Sequence, residues 1–233
     1  GAANGTTITN TGVVTWNIAW GYGWGSEGSG SAKDEKHFEE SIAKMIDLLK
    51  KIDPDIVLLQ EIDFDCTRSH HRDQAEMIAK GVGLPYVAYA VSWRANWLPF
   101  PYWPPSDHYG RMSSGGAILS KHPIVSHKVE LLPKPEENAF WYNLFYLFRY
   151  IQIAQIQIGD ETIPVVNTHL EAFRPATRQA QATHLANVLS SIEDRDLIFA
   201  GDLNSVPEEA TLRQKYPDEP QTSHKDDRTI AMI

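Results

Sequence analysis

The chain has 233 residues, 42% of them hydrophobic, one cysteine and a formal net charge of −9. That length supports one sizeable core, the lone Cys66 excludes an internal disulfide, and the acidic balance argues against tight duplex DNA binding, which calls for a basic face. No stretch reaches the ~20 apolar residues of a bilayer span; the most apolar candidate, residues 139–153, is broken by Asn143 and Arg149. The chain opens on Gly1 rather than Met, without a signal peptide, as a trimmed chain or an exported protein freed of its leader would. An exported location, periplasmic or secreted, is therefore expected ahead of a cytoplasmic one, and a monomer ahead of an oligomer.

Residues 13–19, VVTWNIA, combine β-branched and aromatic side chains and predict a strand. A glycine-rich loop over 21–30 follows, and Ser31, with Asp34 three residues on, is placed as a helix cap. Phe38, Ile42, Met45, Ile46 and Leu49 recur on one helical face, and Asp53-Pro54-Asp55 breaks that helix. Residues 56–59, IVLL, form a continuous apolar run suited to a strand covered on both faces, ending in Gln60-Glu61. A short helix is predicted over 74–80, closed by Gly81-Val82-Gly83, then a strand over 86–91. Residues 92–111 read as a long irregular stretch, before a strand over 114–119 that Pro123 closes. Residues 149–158, RYIQIAQIQI, alternate as a half-exposed strand does and turn through Gly159-Asp160 into a strand over 162–168. A helix over 177–189 and a strand over 197–200 complete the series. Hairpins mixed with crossovers predict two mixed sheets packed face to face with helices outside, rather than one doubly wound sheet. No Pro/Gly/Ser linker divides the chain, so one domain is expected over 1–233.

Four apolar strands end in polar signals: Trp16-Asn17, Gln60-Glu61, Asn167-Thr168-His169 and Gly201-Asp202-Leu203-Asn204. Each alone is also an ordinary turn or cap. Brought together they offer carboxylates, amides and an imidazole. Glu61 and Asp202 would repel one another unless a cation lay between them, and Mg²⁺, with Mn²⁺ as the alternative, suits hard oxygen donors and retains waters for exchange. Asn17 and Asn204 add neutral oxygens or donors, and His169 can donate to a phosphoryl oxygen or move a proton near neutral pH.

The ordered set TWNIAW, DIVLLQEID, SGGAILSKHPI, VVNTHLEAF and FAGDLNSVP resembles the endonuclease/exonuclease/phosphatase superfamily, the DNase I-like metal-dependent phosphoesterases, from about Val13 to Pro207. The resemblance implies a four-layer α/β/β/α sandwich with its site at one end of the two sheets. It implies Glu61 as principal metal ligand and Asn17 as an adjacent metal or phosphate contact. Asp202 would orient or activate the nucleophile, with Asn204 as its companion on the phosphate and His169 as a phosphate contact. The superfamily's late Asp-His pair is missing. Arg228 to Ile233 resembles the strand that precedes it, with Ala231 where an Asp is expected. A C-terminal strand and Asp-His loop outside this chain, a degraded inactive member, or His224 standing in for the imidazole would each account for that.

Outside these motifs, residues 93–103, WRANWLPFPYW, could pack on themselves, wall the site with Trp103, stack a base or sugar, or touch a membrane surface. His108 and Arg111 would hold a phosphate if they face the site, and are otherwise surface residues. His70 and His71 are adjacent, point apart, and suit the surface rather than a shared metal. Cys66 reads as a small buried residue, and Arg178 and Gln179 as supports of the His169 loop. The main expectation is a Mg²⁺-dependent phosphodiesterase acting on a lipid headgroup, a small diester or nucleic acid; the rival is a non-catalytic binding or scaffold protein on the same fold.

Overall fold

A computed structural model describes residues 10–23, 33–193, 196–216 and 222–233. Eight strands form two four-stranded mixed sheets. In the first, β1 (Val13–Asn17) pairs parallel with β2 (Ile56–Asp63), which pairs antiparallel with β4 (Gly110–Ser120), itself antiparallel to β3 (Tyr86–Leu98). In the second, β5 (Ile124–Leu132), β6 (Arg149–Ile158) and β7 (Glu161–His169) run antiparallel, and β8 (Ile198–Asp202) joins β7 in parallel. Each parallel pair needs a crossover, which a helix supplies: α1 (Glu35–Ile52) between β1 and β2, and α4 (Pro175–Ser190) between β7 and β8.

Three apolar layers fill the space between the elements. Ile42, Met45 and Leu49 of α1, with Ala75, Ile78 and Ala79 of α2 (Gln74–Val82), pack on Val57, Leu59 and Leu119 of the first sheet. Ile56, Leu58 and Ile118 meet Ala154, Ile156 and Val165 between the sheets. Ala182 and Leu185 of α4 cover Ile151, Ile153 and Val166 on the far side. The order is helix, sheet, sheet, helix, as the sequence predicts. Among the described residues no helix is long and apolar enough to cross a membrane.

The inter-sheet layer also carries a buried amide ladder. Gln60 Nε2 donates to Asn167 Oδ1 at 2.7 Å, Asn167 Nδ2 to Gln152 Oε1 at 3.0 Å, and Gln152 Nε2 to the Ala88 carbonyl at 2.9 Å. Buried polar groups that satisfy one another fix a unique arrangement, because any slip orphans them. Here they register β2 and β3 of one sheet against β6 and β7 of the other.

Several expectations need correction. Residues 92–111 are not irregular: β3 runs on to Leu98 and β4 starts at Gly110, leaving a loop over 99–109. Register shifts in the β3–β4 pairing, after Val91 and after Ala95, hid this from a simple alternation count. Strand β5 was not expected; it is an edge strand with most side chains exposed, including Lys128 and Glu130, so it lacks a clear apolar period. Conversely, β6 is buried on both faces over Tyr150 to Ala154, because it lies inside its sheet with α4 behind it. The first strand stops at Asn17 and gives way to a 3₁₀ turn, Ala19–Gly21. The cap of α1 is Asp34, whose side chain accepts from the His37 N–H at 2.8 Å; Ser31 and the glycine-rich loop beyond Gly23 lie outside the described residues. Residues 230–232 form a 3₁₀ turn rather than a strand.

Candidate functional site

The two parallel pairs bring the ends of β1, β7 and β8 and the bulge within β2 to one rim; the strand expected to end at Gln60-Glu61 runs on to Asp63. Asn17 stands beside Gln60 in the β1–β2 register, and His169 beside Asp202 in the β7–β8 register. Asn17 Nδ2 joins the two sheets: it donates to Asp202 Oδ2 at 2.7 Å and to Glu61 Oε1 at 3.2 Å. His169 Nε2 lies 3.7 Å from Asp202 Oδ2 and 3.8 Å from Glu61 Oε1. Residues 44 and 185 positions from Asn17 thus share one amide nitrogen.

Unusual backbone places these groups. Glu61 sits at a β-bulge, where the register shifts between Gln60 and Ile62, with φ of 51°. A bulge in a strand re-aims its side chain, here out of the sheet toward the rim. Ala19, Trp20 and Asn204 also have positive φ, and non-glycine residues held this way collect at functional sites. Gly201 pairs with Thr168 so closely that a Cβ would lie 2.2 Å from the Thr168 carbonyl oxygen. That contact lets β8 deliver Asp202 beside His169.

Local contacts fix what three side chains face. Asn17 Oδ1 accepts from the Ala19 N–H at 3.0 Å, so the amide presents its N–H₂, not its oxygen, to the carboxylates. This Asx-type turn orients the Asn17 amide N–H₂ between the two acids, the donor role among those the sequence offered. Asn204 Nδ2 donates to the Leu170 carbonyl at 2.8 Å and its backbone N–H to Asp202 Oδ1 at 2.9 Å, which ties the β8 loop to the β7 loop. His169 is buried, and its Nε2 accepts from Arg149 Nη1 at 2.8 Å. Burial, with the Arg149 guanidinium beside it, holds this imidazole well below the usual histidine range. It is neutral near pH 7 and carries Arg149 rather than a mobile proton.

The donor set fits a small divalent cation. Glu61 and Asp202 are about one-third and one-quarter exposed, and a single amide nitrogen compensates them both. Among the described residues no group of three or more His, Cys, Asp or Glu is arranged to hold a metal ion. Mg²⁺ does not require one, since it binds through one or two carboxylates and keeps waters.

Glu61, Arg149 and His169 border a cavity of about 500 Å³, with Trp20, Trp93, Phe100, Tyr109, Tyr146 and Phe173 among its walls. Asn17 and Asp202 border a second, shallower one of about 320 Å³. Arg111 and His108, expected to hold a phosphate, and Trp103, expected to wall the site, line neither. Arg111 Nε pairs with Asp65 Oδ2 at 2.7 Å on the surface, His108 packs edge-on against Trp97, and Trp103 is 80% exposed. His71 joins the same surface pair through Asp65, and His70 reaches the Lys33 carbonyl. Cys66 is buried against the Ser113 backbone.

Sequence reasoning passed over the residues that brace the site. Arg149 was noted only as an interruption of an apolar run. Glu171, inside the quoted VVNTHLEAF motif, is fully buried; it accepts from Tyr146 Oη at 2.8 Å and the Phe173 N–H at 2.9 Å. Arg178 does support this loop, donating to the carbonyls of Glu171 and Ala172, but Gln181 rather than Gln179 is its partner, accepting from the Glu171 N–H. Arg178 also pairs with Asp227, which accepts from Thr229 and contacts His224. His224 is thus part of this buried cluster and lines neither cavity. Arg68 forms a two-pronged pair with buried Asp63 and lies 4.0 Å over the Trp20 ring.

Comparison with known proteins accords with this geometry. Residues 14–227 match the Endonuclease/Exonuclease/phosphatase family. No curated protein matches the chain by sequence. Among solved structures, the endonuclease/exonuclease/phosphatase from Beutenbergia cavernae superposes with a TM-score of 0.57 at 21% identity, covering 91% of this chain and 50% of that one. TDP2 from Caenorhabditis elegans gives 0.54 at 22% identity, over 87% and 49%. The mannosyl-6-phosphatase of Bacteroides thetaiotaomicron gives 0.56 at 16%, over 85% and 67%. At these identities the likeness is one of fold, and the chain spans about half the length of the first two. The chain belongs to the Endonuclease/Exonuclease/phosphatase family, whose members are hydrolases acting on phosphoester bonds.

Proposed function

We propose that this member of the Endonuclease/Exonuclease/phosphatase family is a divalent-metal-dependent phosphodiesterase, with Mg²⁺ or Mn²⁺ as the ion. The observation that carries the proposal is the shared amide: Asn17 Nδ2 holds Glu61 from one sheet and Asp202 from the other at a common rim.

Asp202 is fixed at both oxygens, Oδ1 by the Asn204 N–H and Oδ2 by Asn17. A carboxylate so held can accept a hydrogen bond from a water and orient it for in-line attack on phosphorus, taking up its proton as the P–O bond forms. Arg149, carried on His169, places a permanent positive charge beside the acids, where negative charge on a phosphoryl group grows. Glu61, whose side chain is one-third exposed, is the residue to hold the divalent ion. When bound, that ion supplies charge neutralisation at the nonbridging and leaving oxygens. One cavity borders Glu61 and another borders Asp202, room for two unequal ester substituents, which favours a diester over a monoester.

Hydrolysis of bis-p-nitrophenyl phosphate with Mg²⁺ or Mn²⁺ tests the proposal. Wild type should turn over, and Glu61→Gln should lose at least about 10²-fold in kcat/KM while its melting temperature stays near wild type. A variant as active as wild type removes the Glu61 assignment. Wild-type inactivity with both ions leaves the non-catalytic binding reading in possession.

A further inference from the structure

We infer that the larger cavity is a subsite for a planar aromatic substituent on the phosphoester, a nucleobase or an aryl ring; the inference rests on the phosphodiester reading of the adjoining acids. Three observations support it. The cavity opens directly on Glu61, Arg149 and His169, so a group lodged there is attached within reach of the reacting phosphate. Its walls are rings that brace one another: Phe100 and Trp93 meet Tyr109 edge-on, with centroids 5.3 and 6.4 Å apart, and Trp20 meets it at 6.2 Å. Such walls give a flat guest edge and face contacts beyond simple burial. They are also preorganised. The Arg68 guanidinium lies 4.0 Å from the Trp20 ring and 4.7 Å from Tyr109, and its charge is taken up by Asp63. Trp93 Nε1 is anchored on the Phe145 carbonyl at 2.8 Å, which joins β3 to the segment before β6.

An alkyl chain fits the same space less well. Ser92 and the Arg149 guanidinium share the lining, and a saturated chain covers them without offering an acceptor or a π-face. A flat ring offers its π-face to the guanidinium while its edge and faces meet the aromatic walls, and ring heteroatoms, where present, add hydrogen bonds. The net charge of −9 points the same way: affinity drawn from one stacked substituent does not require the basic groove that a polyanion backbone does.

The test is equilibrium binding, by calorimetry in Mg²⁺, of methyl-, hexyl- and phenylphosphonate, which cannot be hydrolysed at carbon. Hexyl and phenyl carry equal numbers of carbons, so shape and π-character separate them. Thymidine 5′-monophosphate is the nucleobase arm. Phenylphosphonate should bind about tenfold or more tighter than methylphosphonate and tighter than hexylphosphonate, the size expected when a ring stacks on aromatic side chains. Phe100→Ala and Phe173→Ala, both at exposed positions, should each lower the phenyl-to-methyl ratio severalfold. A further gain for the nucleotide over phenyl identifies a nucleobase guest, and none identifies an aryl guest. Equal binding of phenyl and methyl, binding of hexyl at or above phenyl (which marks a lipid-type groove), or an unchanged ratio in both variants overturns the inference. Because these ligands are read by binding, a protein that fails to hydrolyse bis-p-nitrophenyl phosphate yet keeps the phenyl preference refutes the enzyme reading and not the subsite.

Discussion

Asn167→Leu is the sharpest test of how the two halves of the site are held together. Asn167 is fully buried, with its amide accepting from Gln60 at 2.7 Å and donating to the Leu59 carbonyl at 3.1 Å and to Gln152 Oε1 at 3.0 Å. Leucine keeps the heavy-atom outline of asparagine, but its two methyl groups are bulkier than the amide oxygen and nitrogen, so some overpacking adds to the cost. Counting the longer contact to the Ala117 carbonyl at 3.4 Å, four hydrogen bonds are lost at about 0.5–1.5 kcal/mol each, and leaving the buried Gln152 oxygen without its donor adds about 1–3 kcal/mol. Burying the leucine side chain returns about 1.5–3 kcal/mol. Gln60 Nε2 keeps the Leu58 carbonyl and Thr15 Oγ1, so it adds no second orphan. The net loss is about 4 kcal/mol at mid-range, and at ~2–4 °C per kcal/mol for a domain of this size the melting temperature should fall by about 8–16 °C. Urea titration and calorimetry measure it. The double variant Gln60→Leu, Asn167→Leu should be less destabilised than the sum of the singles, because contacting residues couple by about 0.5–3 kcal/mol. A melting temperature within about 2 °C of wild type, or strict additivity, would show that the ladder does not hold the sheets in register. Since Gln60 precedes Glu61 and Asn167 stands two residues before His169, the same ladder lies directly beneath the rim that carries Glu61 and His169.

Two further outcomes follow from contacts near the site. Gly201→Ala places a methyl 2.2 Å from the Thr168 carbonyl at a φ of 152°, so β8 must part from β7; the variant should be destabilised by more than about 1 kcal/mol, and wild-type stability would contradict the close approach. Asp227 governs the acid limb of stability. Burial pushes its carboxyl up, but hydrogen bonds from the Thr229 side chain and N–H, from Arg178 and from His224 outweigh that and hold it well below the usual carboxylate range. A carboxyl depressed in the folded state stabilises the protein above its unfolded pKa of about 3.9, and this contribution is lost as pH falls through the lower, folded value. Denaturation midpoints measured downward from pH 5 should therefore drop below about pH 4, and Asp227→Asn should flatten that drop; parallel curves for the two proteins would rule out Asp227 as its source.

The sequence alone determined the layer order and which strands end in polar groups, because apolar period and strand length are local properties that tertiary contacts seldom reverse. It also placed Asn17, His169 and Asp202 at strand ends, and parallel pairing within each sheet carries those ends to one rim; Glu61, expected at a strand end, lies instead inside β2, which runs on to Asp63. It did not determine what each group faces. The Glu61 bulge, the turn that points Asn17's N–H₂ at both acids, and the burial that makes His169 a neutral seat for Arg149 depend on contacts between residues far apart in the chain. Arg111 and His108 looked equally suited to a phosphate on residue type. Only the fold shows Arg111 on Asp65 and Arg149 at the site, because the direction in which a guanidinium points is set by its strand's register and by the sheet packed against it.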